Sequence, residues 1–329
     1  MSPATGDTAH RSSRYAQGMR RLHSLLLLLS ITACVNAPER VFHSKEANRP
    51  SYLARLGKAE GDEGGWASLC AEFESGNHGY SLSWIPETKE LNPGGKGVCF
   101  FVGFGTADGR IGEARSRVTG GDLVLLRPGE TLVLDAPLSG LVLTIPRPFP
   151  PDLPHWIHPN SDPRLSRSAM ISANAAPASS PDTDYVLDLL AWNAERSPYL
   201  CHSVNAHRIR VSESAAYMHP LEGGHDQLYW IREASAGAEL WIDSAEAAEQ
   251  GLSSAAQAAG PVLEAHALQI HDLILVPRGR VHKLKGVSAI AISVPGTRPG
   301  SFVRVTEASV GTAAAEELDE ASLGPKEQP

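Results

Sequence analysis

Four side chains able to hold a metal or a polar ligand fall in one short stretch, Tyr217-Met218-His219-Pro220-Leu221-Glu222-Gly223-Gly224-His225-Asp226-Gln227-Leu228-Tyr229-Trp230. They are His219, Glu222, His225 and Gln227. A further imidazole, His282, follows the turn Pro277-Arg278-Gly279. Imidazole with carboxylate or amide oxygen suits one divalent Fe, Mn, Ni or Zn, and open coordination positions would permit oxygenase, isomerase or hydrolytic chemistry. The same residues also suit a metal-free pocket in which Gln227, Tyr229 and His282 hydrogen-bond a small molecule. Because strand side chains alternate, only one of Tyr229 and Trp230 faces such a pocket. A solvated Gly/Pro loop for His219 and His225 is the plainer alternative. Arg278 and Arg280, on a turn, are expected to face solvent.

These residues need strands to position them. Gly97–Phe104, Gly121–Gly129, Thr131–Asp135 and Gly140–Ile145 are apolar runs bounded by Gly or Pro, so 66–148 reads as a set of short strands. Residues 149–198 are rich in Pro, Ser and Asn and read as a linker. Within it His155 and His158 are flanked by prolines that deny them a helix. Tyr185–Arg196 is expected to be helical, with Val186, Leu189, Leu190 and Ala194 on one face. A second β-rich region spans 199–305, interrupted by an Ala/Glu/Ser-rich insertion at 244–265. Residues 306–329 are acidic and polar and read as a disordered tail.

Two segments align without a gap: Gly121-Asp-Leu-Val-Leu-Leu-Arg127-Pro-Gly129-Glu-Thr-Leu132 and His271-Asp-Leu-Ile-Leu-Val-Pro277-Arg-Gly279-Arg-Val-His282. Such a repeat implies two copies of one supersecondary unit. The second copy resembles the second motif of the cupin superfamily at Pro277, Gly279 and His282, departing from it at the first and last positions. The first cupin motif is matched loosely around 217–233, with Gln227 in the family's glutamate column. The resemblance implies an all-β fold of two cupin-like β-barrels (double-stranded β-helix, or jelly roll) joined by a linker with a short helix. Leu132 stands where His282 does, so the first barrel is expected to have no site chemistry. The stretch around Gln227 also resembles the ligand-binding cupin of AraC-type regulators, in which Gln often replaces the glutamate. That implies a sugar or carboxylate ligand.

The amino terminus carries its own chemistry. Met19-Arg20-Arg21 precedes the apolar run Leu25–Leu29, and Ile31-Thr32-Ala33-Cys34 follows. A basic region, a short apolar region and small residues form an export signal, too short to span a bilayer. Its end resembles a bacterial lipobox, which implies lipidation of Cys34, a true start at Met19 and a polar tether over 35–65. The resemblance implies a periplasmic or surface-facing lipoprotein of the cell membrane or outer membrane. Of the remaining cysteines, Cys70, Cys99 and Cys201, two could pair in an oxidising compartment, or all could be small buried residues.

Composition bounds the rest. The chain has 329 residues, enough for two domains, and a formal charge of −8 with no basic stripe, which disfavours nucleic acid as partner. The expectation is an envelope lipoprotein with a bicupin fold that binds a small polar ligand in its second barrel. The alternatives are a mononuclear metal-dependent cupin enzyme, of dioxygenase or isomerase type, and a structural or interaction protein. A homodimer is compatible with each.

Overall fold

The computed structural model describes residues 49, 51–56, 63–169, 184–243, 262–296, 303–305 and 309–310. The expected export signal 1–34 with Met19 and Cys34, most of the expected tether, residues 244–261 of the expected insertion and nearly all of the expected tail lie outside the described residues. The described chain is all-β except for one helix, Glu63–Gly76. Among the described residues no helix is long and apolar enough to cross a membrane.

Two sheets make up the fold, each built around one 14-residue strand that bends and pairs on both sides. In the first, Leu132–Ile145 pairs with Ser81–Leu91, Gly97–Phe104 and Thr106–Ile111. The hairpin partner Ala114–Thr119 lies at one edge, and Leu123–Leu126 followed by Trp156–Ile157 at the other. In the second, Val281–Val294 pairs with Asp226–Asp243 and Asn205–Glu213. Beyond these lie Asp272–Val276 and Tyr52–Arg55 on one flank, and Tyr185–Leu190 and Arg167–Ala169 on the other.

The duplication read from sequence holds at the level of single hydrogen bonds. Gly129 N donates to Gly94 O at 2.7 Å, and Gly279 N donates to His219 O at 2.6 Å. Both glycines have positive φ, 80° and 88°, which an L side chain adopts at a cost. Asp122 accepts from Thr119 N at 2.8 Å, as Asp272 does from Gln269 N at 2.7 Å. The preceding residues, Gly121 and His271, both have left-handed φ and donate to Val102 O and Ile231 O. Leu132 and His282 therefore occupy matching places in two all-β units, the architecture that the cupin resemblance implies.

The sheets are joined by a shared apolar core. Cys99, Phe101, Leu123, Leu125 and Leu143 meet Leu228, Trp230, Leu273, Leu275 and Ile292. Trp230 is fully buried and lies edge-on to Trp84, with ring centroids 5.7 Å apart. It fits against Gly103, where an added Cβ would come within 2.6 Å of the indole ring. The alternating neighbours Val98, Phe100 and Val102 fill the first sheet's own interior with Leu132, Leu134 and Val142. Cys70, Cys99 and Cys201 are free thiols, the last two buried in the shared core.

Several expectations are corrected. Tyr185–Leu190 is a strand, not the start of a helix, and the described linker contains no helix. It is buried on both faces, Leu187 and Leu189 toward the shared core and Val186 and Asp188 toward the opposite side. A short apolar run buried on both faces satisfies helical and strand spacing alike, and pairing with Asn205–Glu213 decides it. The helix instead lies at Glu63–Gly76, where strands were expected from Trp66. Tyr52–Arg55, expected in the tether, pairs with Asp272–Val276. Trp156–Ile157 and Arg167–Ala169 of the linker are strands, as are Val262–Ala267 of the insertion and Ser309–Val310 of the tail.

Trp230→Ala is expected to cost about 3–5 kcal/mol by opening a cavity between the sheets. Chemical denaturation of the variant against the parent chain checks this.

Candidate functional site

The second sheet encloses what the first sheet fills. A cavity of about 600 Å³ opens on its concave side. Gln227, Tyr229 and His282 all line it, with His219 and His225 beside them. In the first sheet the residues at the registers of Gln227 and Tyr229 are Val98 and Phe100, and Leu132 stands for His282. All three are buried in that sheet's apolar interior.

The imidazoles are brought together by backbone. His219 follows the strand Ala216–Met218, which pairs with Val281 and His282. The loop from Pro220 doubles back tightly, because Gly224 leaves room for Pro220 O where a Cβ would lie only 1.9 Å away. His225 thus returns beside His219, with ring centroids 3.8 Å apart, and His219 lies 5.3 Å from His282. Between Gly94 and Val98 the first copy has a shorter connection and no His225 counterpart.

Two sets of hydrogen bonds lie along the cavity floor. Tyr229 Oη and His282 Nε2 are 2.9 Å apart, and His282 Nδ1 lies 3.3 Å from Arg280 O. His225 Nε2 is 3.2 Å from Gln227 Oε1, which also accepts from Ser293 Oγ at 2.9 Å. Gln227 Nε2, His225 Nδ1 and Asn205 Oδ1 are buried with no protein partner. Buried polar atoms are nearly always satisfied, so three orphans around one hollow point to a polar occupant. Burial pushes His225 down to about 3, against the opposing effect of its hydrogen bond to Gln227 Oε1, and His282 down to about 4. Burial also raises the Tyr229 phenol above its ordinary value. Near neutrality His225, His282 and Tyr229 are therefore polar but uncharged.

Tyr229 faces the cavity and Trp230 the shared core, as strand alternation requires. Glu222 is exposed on the loop and does not line the cavity. Arg278 and Arg280, expected in solvent, are 2% and 4% exposed. Each is drawn inward by a carboxylate. Arg278 Nε reaches Asp226 Oδ1 at 2.9 Å, and Arg280 Nε reaches Asp243 Oδ1 at 2.6 Å. Arg49 Nη1 meets the other Asp226 oxygen at 2.7 Å, and Asn77 Nδ2 donates to it at 2.7 Å. Burial alone would raise the Asp226 carboxyl, but Arg278 and Arg49 hold it below its ordinary value. His155 and His158 do not share a site. His155 pairs with Glu130 at 2.9 Å, and His158 sits 3.0 Å from Asp122.

The opposite wall carries residues that sequence reading did not single out. Asp188 lies across from His207 on neighbouring strands, and its carboxylate is hydrogen-bonded to His207 Nδ1. Arg196 Nε holds the other oxygen at 2.8 Å. Asp188, Arg196, His207 and Asn205 all line the cavity. The sequence signal was a lone carboxylate in the apolar run Val186-Leu187-Asp188-Leu189-Leu190, since aspartate is seldom buried without a partner.

A divalent cation fits this donor set poorly. Among the described residues no three His, Cys, Asp or Glu are disposed to hold one. His282 Nε2 is engaged by Tyr229, His225 Nε2 by Gln227, and the near carboxylate, Asp226, is committed to two guanidinium groups. A dication there would be desolvated without an anionic ligand.

No family model matches the chain, and no curated protein does. Solved structures similar in form include an IolB-like protein from Salmonella typhimurium, 13% identical, with a TM-score of 0.45 over 68% of this chain and 86% of that one. An oxalate decarboxylase from Lactobacillus farciminis is 12% identical, with a TM-score of 0.44 over 70% and 80%. The coconut allergen cocosin is 8% identical, with a TM-score of 0.47 over 78% and 88%.

The depressed histidines set a pH dependence. In the unfolded chain these rings charge as pH falls through about 6.5. In the folded chain they stay neutral down to about 4 and 3. The unfolded state therefore binds more protons, and stability is lost as pH falls from about 6.5 toward the folded values. Between pH 6.5 and 4.5 each ring should remove about 2 kcal/mol. Denaturation at a series of pH values should show a shallower loss for His282→Gln than for the parent chain.

Proposed function

We propose that this chain is an exported envelope lipoprotein of cupin type whose second barrel binds a small polar ligand, of sugar or carboxylate class. The observation that carries the binding reading is the contrast between copies. Where the first barrel packs Val98, Phe100 and Leu132, the second presents Gln227, Tyr229 and His282 to a hollow of about 600 Å³. That volume is in the range of ordinary small-molecule sites. The wall mixes apolar side chains (Val186, Ile209, Val211) with hydrogen-bonding groups at both ends, which suits a compact molecule bearing several oxygens. The lipoprotein reading is supported by the Ile31-Thr32-Ala33-Cys34 segment after the short apolar run. It places the barrel in the periplasm or at the cell surface, tethered through Cys34.

Two measurements test this. Calorimetric titration of the exported chain with monosaccharides and small carboxylates should reveal a ligand, and Gln227→Ala or His282→Ala should weaken it at least about tenfold, the loss of a buried hydrogen bond. Elemental analysis of the same sample discriminates the readings. Stoichiometric Fe, Mn, Ni or Zn, lost in His282→Ala, would replace the binding role with a metal-dependent enzyme, and neither ligand nor metal would favour a structural role. For the anchor, labelled palmitate should enter the parent chain expressed in a bacterial host and not Cys34→Ala. Equal labelling of both would overturn the lipoprotein assignment.

A further inference from the structure

The sheet register places four residues on one rung across four adjacent strands. Asp188 lies opposite His207, His207 opposite Ala291, and Ala291 opposite Tyr229. Residues directly opposite one another point to the same face, and all four line the cavity. Strands are spaced roughly 4.8 Å apart, so the backbones carrying His207 and Tyr229 are separated by about 10 Å. Between them stands only the methyl group of Ala291. A compound of a few carbons can rest on that methyl with one end at the imidazole and the other at the phenol.

We propose that this rung is a proton-transfer site for a small hydroxycarbonyl compound, with His207 as base, Asp188 as its positioning residue and Tyr229 as acid. The proposal rests on the cavity being the ligand site. Asp188 binds His207 Nδ1, which fixes the tautomer and offers Nε2 to a ligand. Asp188 is 3% exposed and kept ionised by His207 and Arg196, so it can stabilise the imidazolium that forms. On the far side Tyr229 Oη lies 2.9 Å from His282 Nε2, which holds the phenol where its hydroxyl can turn toward a ligand oxygen. In the forward step the proton on the carbon next to the carbonyl passes to His207 Nε2, and the electrons of that C–H bond form the enol double bond. The carbonyl oxygen takes the Tyr229 proton. Reversal returns a proton to carbon from His207 and one from the enol hydroxyl to Tyr229, so no co-reactant is consumed. The rung in the first sheet holds Phe100 and Val142 at the places of Tyr229 and Ala291, and can do none of this.

The test is deuterium wash-in. The exported chain is incubated in D2O with dihydroxyacetone, glyceraldehyde, xylulose and fructose, and proton NMR follows loss of the hydrogens next to the carbonyl. Saturation-transfer NMR on the same samples reports binding. Wash-in above the rate without protein is expected for at least one compound. His207→Gln and Tyr229→Phe should each lower it at least about a hundredfold, well beyond any loss of binding that either causes. Asp188→Asn should lower the rate and displace its pH profile while leaving binding intact, which a merely structural aspartate would not do. Binding without wash-in overturns proton transfer and leaves the binding role standing. Wash-in indifferent to both His207→Gln and Tyr229→Phe also overturns it. Neither binding nor wash-in overturns proton transfer together with the sugar-binding reading, and the carboxylate reading then stands or falls with the calorimetric titration. Should His207→Gln fail to fold, Tyr229→Phe, which removes one oxygen only, decides between these outcomes.

Discussion

The carboxylate of Asp226 is fully buried and held between two guanidinium groups, and the site is arranged around that pairing. Arg49 comes from the amino-terminal arm, Arg278 from the turn before His282, and Asn77 from just beyond the helix. Arg278 also donates to Asn77 Oδ1 and to the carbonyl of Gly76, and Arg49 to the carbonyl and the carboxylate of Glu72. Desolvating these ions costs several kcal/mol each, recovered only when every partner is in place. Arm, helix and turn are thereby fixed relative to the start of strand Asp226–Asp243. His225 and Gln227 flank Asp226 in sequence, and His282 follows Arg280, so ion pairs outside the cavity set the positions of imidazoles inside it.

The two copies show how a filled barrel and a hollow one arise from one plan. They share the turn glycines, the capping aspartates and a bent 14-residue strand. They part at a handful of inward positions. Phe100 and Val142 in one become Tyr229 and Ala291 in the other, and a longer loop adds His225. Removing aromatic and branched bulk forfeits dispersion and burial energy within the second barrel. The outward positions remain apolar in both copies, so the shared core with Trp230 holds the hollow barrel against a solid one.

What the sequence disclosed, and what it hid, follows from the range of the interactions. The segments 121–132 and 271–282 were legible because turn chemistry is local: an aspartate before four apolar residues, then a glycine where φ is positive. Gly97–Phe104 could be read to the residue for the same reason. Tyr185–Leu190 was misread because its neighbours across the sheet, not its own spacing, make it a strand. The depth of Arg278 and Arg280 depends on Asp226 and Asp243, far away in sequence, so no local rule could place them. The site was half legible. His282 was found through the repeat, and Gln227 and Tyr229 through the cupin resemblance around 217–233, whereas Asp188 and His207 lie in segments that neither covers.

Ala291 is the smallest side chain on the rung between Tyr229 and His207, and it bounds the room available to whatever the barrel encloses. A change at this one position would widen or narrow the hollow at that rung while leaving the surrounding walls alone. The solid interior of the sister barrel, by contrast, needs bulk at several positions at once, Val98, Phe100, Leu132 and Val142 together.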